Sequence, residues 1–120
     1  MERQIRVLIV DDRRSSRDGL RALLATTPEI HVVGEAGNGA EAVALAEQYQ
    51  PDVILMDINM PVMDGLEATR QIKQRHPEIR VVLLTMYTAC WEEAVQVRAD
   101  GLFVKGERTE HLLQAVLEGH

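Results

Sequence analysis

The run Val53-Ile54-Leu55-Met56-Asp57 constrains this chain more than any other stretch. Four apolar residues, with no polar alternation, follow Pro51 and Asp52 and end on an acid. Such a run reads as a strand buried on both faces, which belongs in a parallel sheet covered by helices on either side. Asp57 then falls at the carboxyl end of that strand. In open α/β sheets this is the edge where ligands bind. Singly, an Asp at that place is an ordinary turn residue, so its meaning depends on what the other strands bring to the same edge.

The remaining elements follow from local pattern. Ile5 to Val10 is β-branched and apolar and stops at Asp11-Asp12, which predicts the first strand. Leu20, Leu23 and Leu24 have helical spacing, with Ser15 or Ser16 as the expected cap and Pro28 as the expected end. Ile30 to Glu35 reads as a second strand, Gly37-Asn38-Gly39 as a turn, and Ala40 to Tyr49 as a helix. After Asp64-Gly65, a helix is expected from Leu66 to Arg75, ended by Pro77, then a strand from Arg80 to Thr85. A short helix from Trp91 to Arg98, a strand from Leu102 to Lys105 and a helix from Thr109 to Glu118 complete the pattern. Leu112, Leu113, Val116 and Leu117 share one face of the last helix, and core packing is the expected role of that face. Trp91 and Cys90 are expected to be partly buried packing residues. Strands alternating with helices predict a doubly wound α/β domain with helices on both faces.

Length and charge narrow the function. The 120 residues make one domain, large enough to bury a core without disulfides or metal staples. A net charge of -6 disfavours nucleic acid as a partner of this segment, since phosphate binding needs clustered Lys and Arg. Cys90 is the single cysteine, so neither an internal disulfide nor a cysteine metal site can form, and a cytoplasmic location is expected. No stretch has the length of a membrane span, and Met1 to Gln4 leads straight into a strand with no signal-peptide pattern. His31, His76, His111 and His120 are scattered, and solvated or packing roles are expected for them.

Asp11, Asp12, Asp57, Thr85 and Lys105 all fall at or beside carboxyl ends of predicted strands, from four different strands. If those strands are neighbours, three carboxylates, a hydroxyl and an ammonium converge. Two like charges about 4 Å apart repel by about 4 kcal/mol at an effective dielectric of about 20. A divalent cation relieves this, and an oxygen-only donor set suits Mg²⁺. Such a site is ready for a phosphoryl group, with Lys105 and Thr85 as donors.

With these residues in view, the chain resembles the receiver domain of a two-component response regulator. The matching stretches are Val10-Asp11-Asp12, Asp57 through Gly65, Leu84-Thr85 and Val104-Lys105. The resemblance implies a CheY-like (flavodoxin-like) five-stranded parallel sheet of order 2-1-3-4-5. It implies that Asp57 accepts a phosphoryl group from a sensor histidine kinase, and that Asp11, Asp12, Asp57 and the Asn59 carbonyl hold Mg²⁺. It further implies that Lys105 pairs with the phosphoryl oxygens and that Thr85 moves to bond the phosphorylated form. Gly34-Glu35-Ala36, Leu84 to Tyr87 and Lys105-Gly106 resemble the NarL/FixJ subfamily, which carries a C-terminal helix-turn-helix. On that basis residues 1–120 are expected to be the receiver part of a longer transcription regulator that contacts DNA through a further domain. A homodimer through the fourth helix, fifth strand and last helix is one expected output, and no enzyme activity is expected beyond the domain's own phosphorylation and dephosphorylation.

Three places depart from the family pattern. Leu102 stands where an aromatic residue is usual, three before the lysine, while Phe103 next to it should face the other side of the sheet. The stretch from Thr85 to Lys105 is about two residues short, with the gap placed around Thr88-Ala89-Cys90. Gly106 replaces a common proline, so no cis X-Pro bond can form there and the loop should be looser.

Three other readings compete with this one. Gly37-Asn38-Gly39-Ala40-Glu41-Ala42 fits a dinucleotide-binding G-x-G-x-x-A, but at the second strand and with Asp11, Asp12, Thr85 and Lys105 left unused. An aspartyl-phosphate phosphatase needs a second acid where Asn59 stands. A degenerate receiver would bind partners without phosphorylation, against which the complete acid set and Lys105 argue.

Overall fold

The computed structural model describes residues 4–86, 91–106 and 108–118. Five strands and five helices alternate: β1 Ile5–Val10, α1 Arg14–Leu24, β2 Ile30–Ala36, α2 Gly39–Tyr49, β3 Val53–Asp57, α3 Gly65–Arg75, β4 Arg80–Thr85, α4 Trp91–Gln96, β5 Gly101–Val104 and α5 Thr109–Leu117. The strands form one parallel sheet of order β2-β1-β3-β4-β5. The expected α/β class and strand order are therefore observed.

Val53 through Met56 are fully buried, as a strand covered on both faces requires. Alternation along the strands sorts the core into two layers. Leu8, Val10, Ile54, Met56, Val81 and Leu83 pack towards Ala42 and Ala46 of α2, Ala68 and Ile72 of α3 and Ala94 of α4. Val7, Ile9, Val53, Leu55, Val82 and Leu84 pack on the other face, with Leu24 of α1 and Leu112 and Val116 of α5. Leu113 and Leu117 join that second layer, so the apolar face of the last helix is core, as expected. Each fully buried aliphatic side chain contributes about 1.5–3 kcal/mol, so truncating Leu55 at the sheet centre costs about 2–5 kcal/mol. Leu102 packs in the first layer and Phe103 in the second, which places the aromatic ring on the opposite face from position 102.

Several boundaries differ from the sequence reading. Helix α1 begins at Arg14, so Ser15 and Ser16 lie inside its first turn and neither caps it. The segment before it is instead held by Asp11, whose Oδ1 accepts from the Arg13 N–H at 2.9 Å. The same helix ends at Leu24 without help from Pro28: the N–H of Thr26 and its hydroxyl both donate to the Leu23 carbonyl. Helix α4 stops at Gln96 rather than Arg98, because Arg98 has φ 67°, outside the helical region. Strand β5 ends at Val104, which leaves Lys105 in the following turn. Trp91, expected to pack, is 59% exposed, because α4 turns Ala94 inward and leaves Trp91 and Val95 on its outer face. The expected shortening at Thr88-Ala89-Cys90, and the packing of Cys90, lie outside the described residues.

Polar ties lock the helices to the sheet. Lys73 of α3, only 8% exposed, donates to the Ile79 carbonyl at 2.7 Å and lies 2.7 Å from Asp100, whose carboxylate also accepts from the Val81 N–H. Arg80 at the start of β4 donates to the Ala115 and Val116 carbonyls, satisfying the last turn of α5. His76 bridges to Glu47, tying α3 to α2.

Candidate functional site

The carboxyl ends of β1 and β3 are adjacent, with Val10 opposite Met56, and β4 lies on the far side with Leu84 opposite Asp57. The sheet order thus carries Asp11-Asp12, Asp57, Thr85 and Lys105 to one edge. Asp11 is fully buried, Asp57 is 7% exposed and Asp12 faces solvent. Their carboxylates offer oxygens that lie within 4.8 Å of one another.

Lys105 anchors this cluster. Its Nζ donates to Asp11 Oδ2 at 2.9 Å and lies 3.3 Å from Asp57 Oδ2. The lysine is placed there by the turn after β5, where its N–H donates to the Thr85 carbonyl at 2.7 Å. Gly106 then takes φ 93°, a conformation that L side chains rarely adopt. Glycine at this position therefore supplies more than looseness: the turn that presents Lys105 uses its freedom.

Burial pushes the Asp57 carboxyl above its ordinary value; the Lys105 ammonium pulls it down, Asp11 adds to the rise, and the main-chain N–H of Asn59 lowers it. For Lys105, burial disfavours the ammonium, but the hydrogen bond to Asp11 and the charges of Asp57 and Asp11 outweigh it. Its pKa therefore lies above the usual lysine value. The site combines an acid that is costly to ionise with a cation that stays charged.

A cavity of about 520 Å³ opens onto the cluster, lined by Asp12, Arg13, Ser16, Asp57, Asn59, Met86 and Lys105. Asn59 lies on its wall. Thr85 is fully buried at the end of β4, one residue behind Met86, which does reach the cavity. The sequence reading missed Arg13, Ser16 and Met86 as lining residues. Their only signal was adjacency: Arg13 follows the acid pair, and Met86 follows Thr85.

The loop after Asp57 is built by close backbone contacts. The Gly65 N–H donates to the Ile58 carbonyl at 2.8 Å, and a Cβ on Gly65 would stand 2.2 Å from the Asp57 carbonyl oxygen. The Gly39 N–H donates to the Met63 carbonyl at 2.9 Å, and a Cβ there would stand 2.4 Å from that oxygen. Between them, Met63 N–H bonds the Pro61 carbonyl and Val62 takes φ 69°, a γ-turn that is strained for a β-branched residue. Asp64 caps α3 by accepting from the Glu67 N–H. The second glycine of the G-x-G-x-x-A match thus serves backbone packing against this loop, which accounts for it without a dinucleotide.

A doubly wound parallel sheet with acids and a lysine gathered at its carboxyl edge defines the class: an open α/β domain whose polar groups converge where its strands end. Within that class the family model "Response regulator receiver domain" matches residues 7–117. The chain is 39% identical over 117 residues to the transcriptional regulatory protein DegU of Brevibacillus brevis, covering 96% of this chain and 50% of that protein. It is 41% identical over 114 residues to the response regulator VraR of Staphylococcus aureus, covering 93% and 54%. Among solved structures, the receiver domain of a NarL response regulator from Mycobacterium tuberculosis superposes with a TM-score of 0.90 at 32% identity, covering 96% of this chain and 94% of that one. A CheY of Borrelia burgdorferi, solved in complex with CheX, BeF3 and magnesium, superposes at 0.85 with 26% identity, covering 94% and 87%. The chain belongs to the response regulator receiver domains, and its relatives are NarL- and LuxR-family regulators. It spans about half the length of the curated relatives it matches. Among the described residues no helix is long and apolar enough to cross a membrane.

Proposed function

We propose that this chain is the phosphoacceptor module of a two-component pathway, and that Asp57 takes a phosphoryl group from a phosphohistidine of a sensor histidine kinase. The observation that carries this reading is the Lys105 ammonium 3.3 Å from Asp57 Oδ2, inside a cluster of three carboxylates. The chemistry is an in-line displacement. A carboxylate oxygen of Asp57 bonds to phosphorus as the P–N bond breaks, and the departing imidazole keeps that electron pair. Lys105 holds the transferred oxygens by charge-assisted hydrogen bonds.

The donor set fits a hard divalent cation: oxygens only, mutually repelling, and open to the cavity. Asp11, Asp12, Asp57 and the Asn59 carbonyl would hold Mg²⁺, which would supply charge neutralisation between the carboxylates and the phosphoryl oxygens. Acyl phosphate adds negative charge and acceptor oxygens where a carboxylate stood. Thr85, buried one residue behind the cavity wall, would follow them with its hydroxyl, and its movement would draw the end of β4 and repack α4. A full switch needs about 5.5 kcal/mol of differential stabilisation, within reach of a few charge-assisted bonds. The output surface is α4, β5 and α5. A cytoplasmic transcription regulator that contacts DNA through a further domain, with homodimerisation as a route to output, is the setting that the relatives support.

Incubation with acetyl phosphate tests this directly. Intact mass should rise by one phosphoryl group only with Mg²⁺, and Asp57→Asn should abolish the gain. Uptake that persists in Asp57→Asn overturns the assignment. No uptake under any condition favours a phosphorylation-independent interaction module instead.

A further inference from the structure

Gly34-Glu35-Ala36 is a motif that the phosphoacceptor chemistry does not use, and the structure gives it a partner. Glu35 sits on β2 opposite Ile9 of β1. Its carboxylate accepts from Arg17 Nε at 3.1 Å and from Arg21 Nε at 2.7 Å, both on α1. The hydrogen bond from Arg21, then its charge and those of Arg17, hold the Glu35 carboxyl below its ordinary range, so it stays ionised at neutral pH. Arg17 and Glu35 are shielded, with side chains 20% and 25% exposed.

Arg17 makes one further bond. Its Nη1 donates to the main-chain carbonyl of Asp11 at 2.7 Å. The N–H of that same residue donates to the Ala36 carbonyl at 3.1 Å, one residue beyond Glu35. Both polar groups of the Asp11 backbone are therefore tied, one to β2 directly and the other to β2 through Arg17 and Glu35. This fixes the direction in which the chain leaves β1, and so where Asp11 and Asp12 carry their carboxylates.

We infer that Arg17, locked by Glu35, is a positioning residue for the acid pair: it sets the main chain of Asp11 so that the Asp11 and Asp12 carboxylates meet Asp57 in a geometry fit for a divalent cation. This inference rests on the metal reading proposed above. An electrostatic role for Arg17 predicts the opposite sign. A guanidinium near a cation site repels the cation, so removing it should tighten binding, whereas removing a positioning contact should loosen it.

Mg²⁺ titration by calorimetry, on the parent and on Arg17→Ala, Arg17→Lys, Glu35→Gln and Arg14→Ala, separates these. Arg14 carries the same charge on the same helix, is exposed, and pairs only with Asp18 among the described residues. Arg17→Ala should weaken Mg²⁺ binding at least fivefold, and Glu35→Gln by a smaller factor. Arg17→Lys, which keeps the charge but cannot reach both partners, should fall between Arg17→Ala and the parent, and Arg14→Ala should stay within twofold. Unchanged or tighter binding in Arg17→Ala overturns the inference. Amide hydrogen exchange without metal gives an independent readout: protection at Arg13, whose N–H bonds Asp11, should drop about tenfold in Arg17→Ala and Glu35→Gln. A parent that binds no Mg²⁺ overturns the metal reading, while the exchange result still decides whether Arg17 holds the acid pair. Urea midpoints in EDTA identify a variant that has unfolded, in which case Arg17→Lys and Glu35→Gln carry the test.

Discussion

Asp57→Asn should stabilise the metal-free protein at neutral pH, although it removes the residue on which the proposed chemistry depends. The attraction between Asp57 and Lys105, 3.3 Å apart, is worth about 5 kcal/mol at an effective dielectric of about 20. Asp11 and Asp12 place oxygens within 4.8 Å of Asp57, so each repulsion is at least about 3.5 kcal/mol on the same scale. Asp12 is exposed, and solvent screening removes about half of its share. The repulsions therefore cancel the attraction, and the cost of burying an ionised carboxylate is left unopposed. That sign agrees with a carboxyl pKa raised by burial. Lys105 keeps Asp11 as its partner in the variant. The expected gain is about 1–2 kcal/mol, a rise of about 4–8 °C in the midpoint of thermal unfolding for a domain of this size.

The pH dependence of this gain follows from linkage. With its pKa raised on folding, Asp57 binds more protons in the folded state, so the parent loses stability as pH rises from the unfolded to the folded pKa. The advantage of Asp57→Asn should be full above the folded pKa and absent below the unfolded value, about 3.9. Saturating Mg²⁺ should reverse the order, since a cation at about 100 times its Kd adds about 2.7 kcal/mol to the parent. Calorimetric unfolding in EDTA at pH 7 and pH 4, and with Mg²⁺ at pH 7, reads all three. A variant less stable than the parent in EDTA at pH 7, or a gap that survives acidification unchanged, refutes the reasoning.

Gly65→Ala should cost about 3 kcal/mol in urea unfolding and slow phosphorylation, because its Cβ meets the Asp57 carbonyl oxygen; a neutral outcome would mean that the two backbones are further apart. Lys73→Ala should cost about 2–3 kcal/mol by leaving Asp100 and the Ile79 carbonyl without their ammonium partner, whereas an unchanged denaturation midpoint would show that the tie is dispensable. Trp91, the sole tryptophan, should be quenched readily by acrylamide in the unphosphorylated protein, and a shielded indole would contradict the outward face of α4.

The sequence made the sheet legible because its signal is local. A strand buried on both faces must be apolar throughout, and the run from Val53 to Met56, bounded by Pro51 and Asp57, has that pattern. The site was legible for a related reason: parallel strands deliver their carboxyl ends to one edge, so sequence position alone predicts that Asp11, Asp57 and Lys105 meet. Helix ends were less legible. Ser15 and Ser16 have cap chemistry, but Asp11 had already satisfied the Arg13 N–H and the helix had begun. Contacts between distant segments left no local trace. Arg17 looks like any helix-surface arginine until β2 brings Glu35 beside it, and Gly39 looks like a turn glycine until the Met63 carbonyl is seen against it.

The loop from Ile58 to Gly65 has a consequence for how such a domain can be varied. Gly65 joins its two ends by packing on Asp57 and Ile58, Gly39 holds Met63 beside the γ-turn centred on Val62, and neither glycine admits a side chain. An inserted or deleted residue would break one of these fastenings and shift Asp57 with it, so the residue count of the loop is fixed. The side chain of Val62, 83% exposed at the tip, is under no such constraint. This loop can be changed in chemistry but not in length, and position 62 is where a probe, a charge or a cross-linker can be set a few residues from Asp57 without disturbing it.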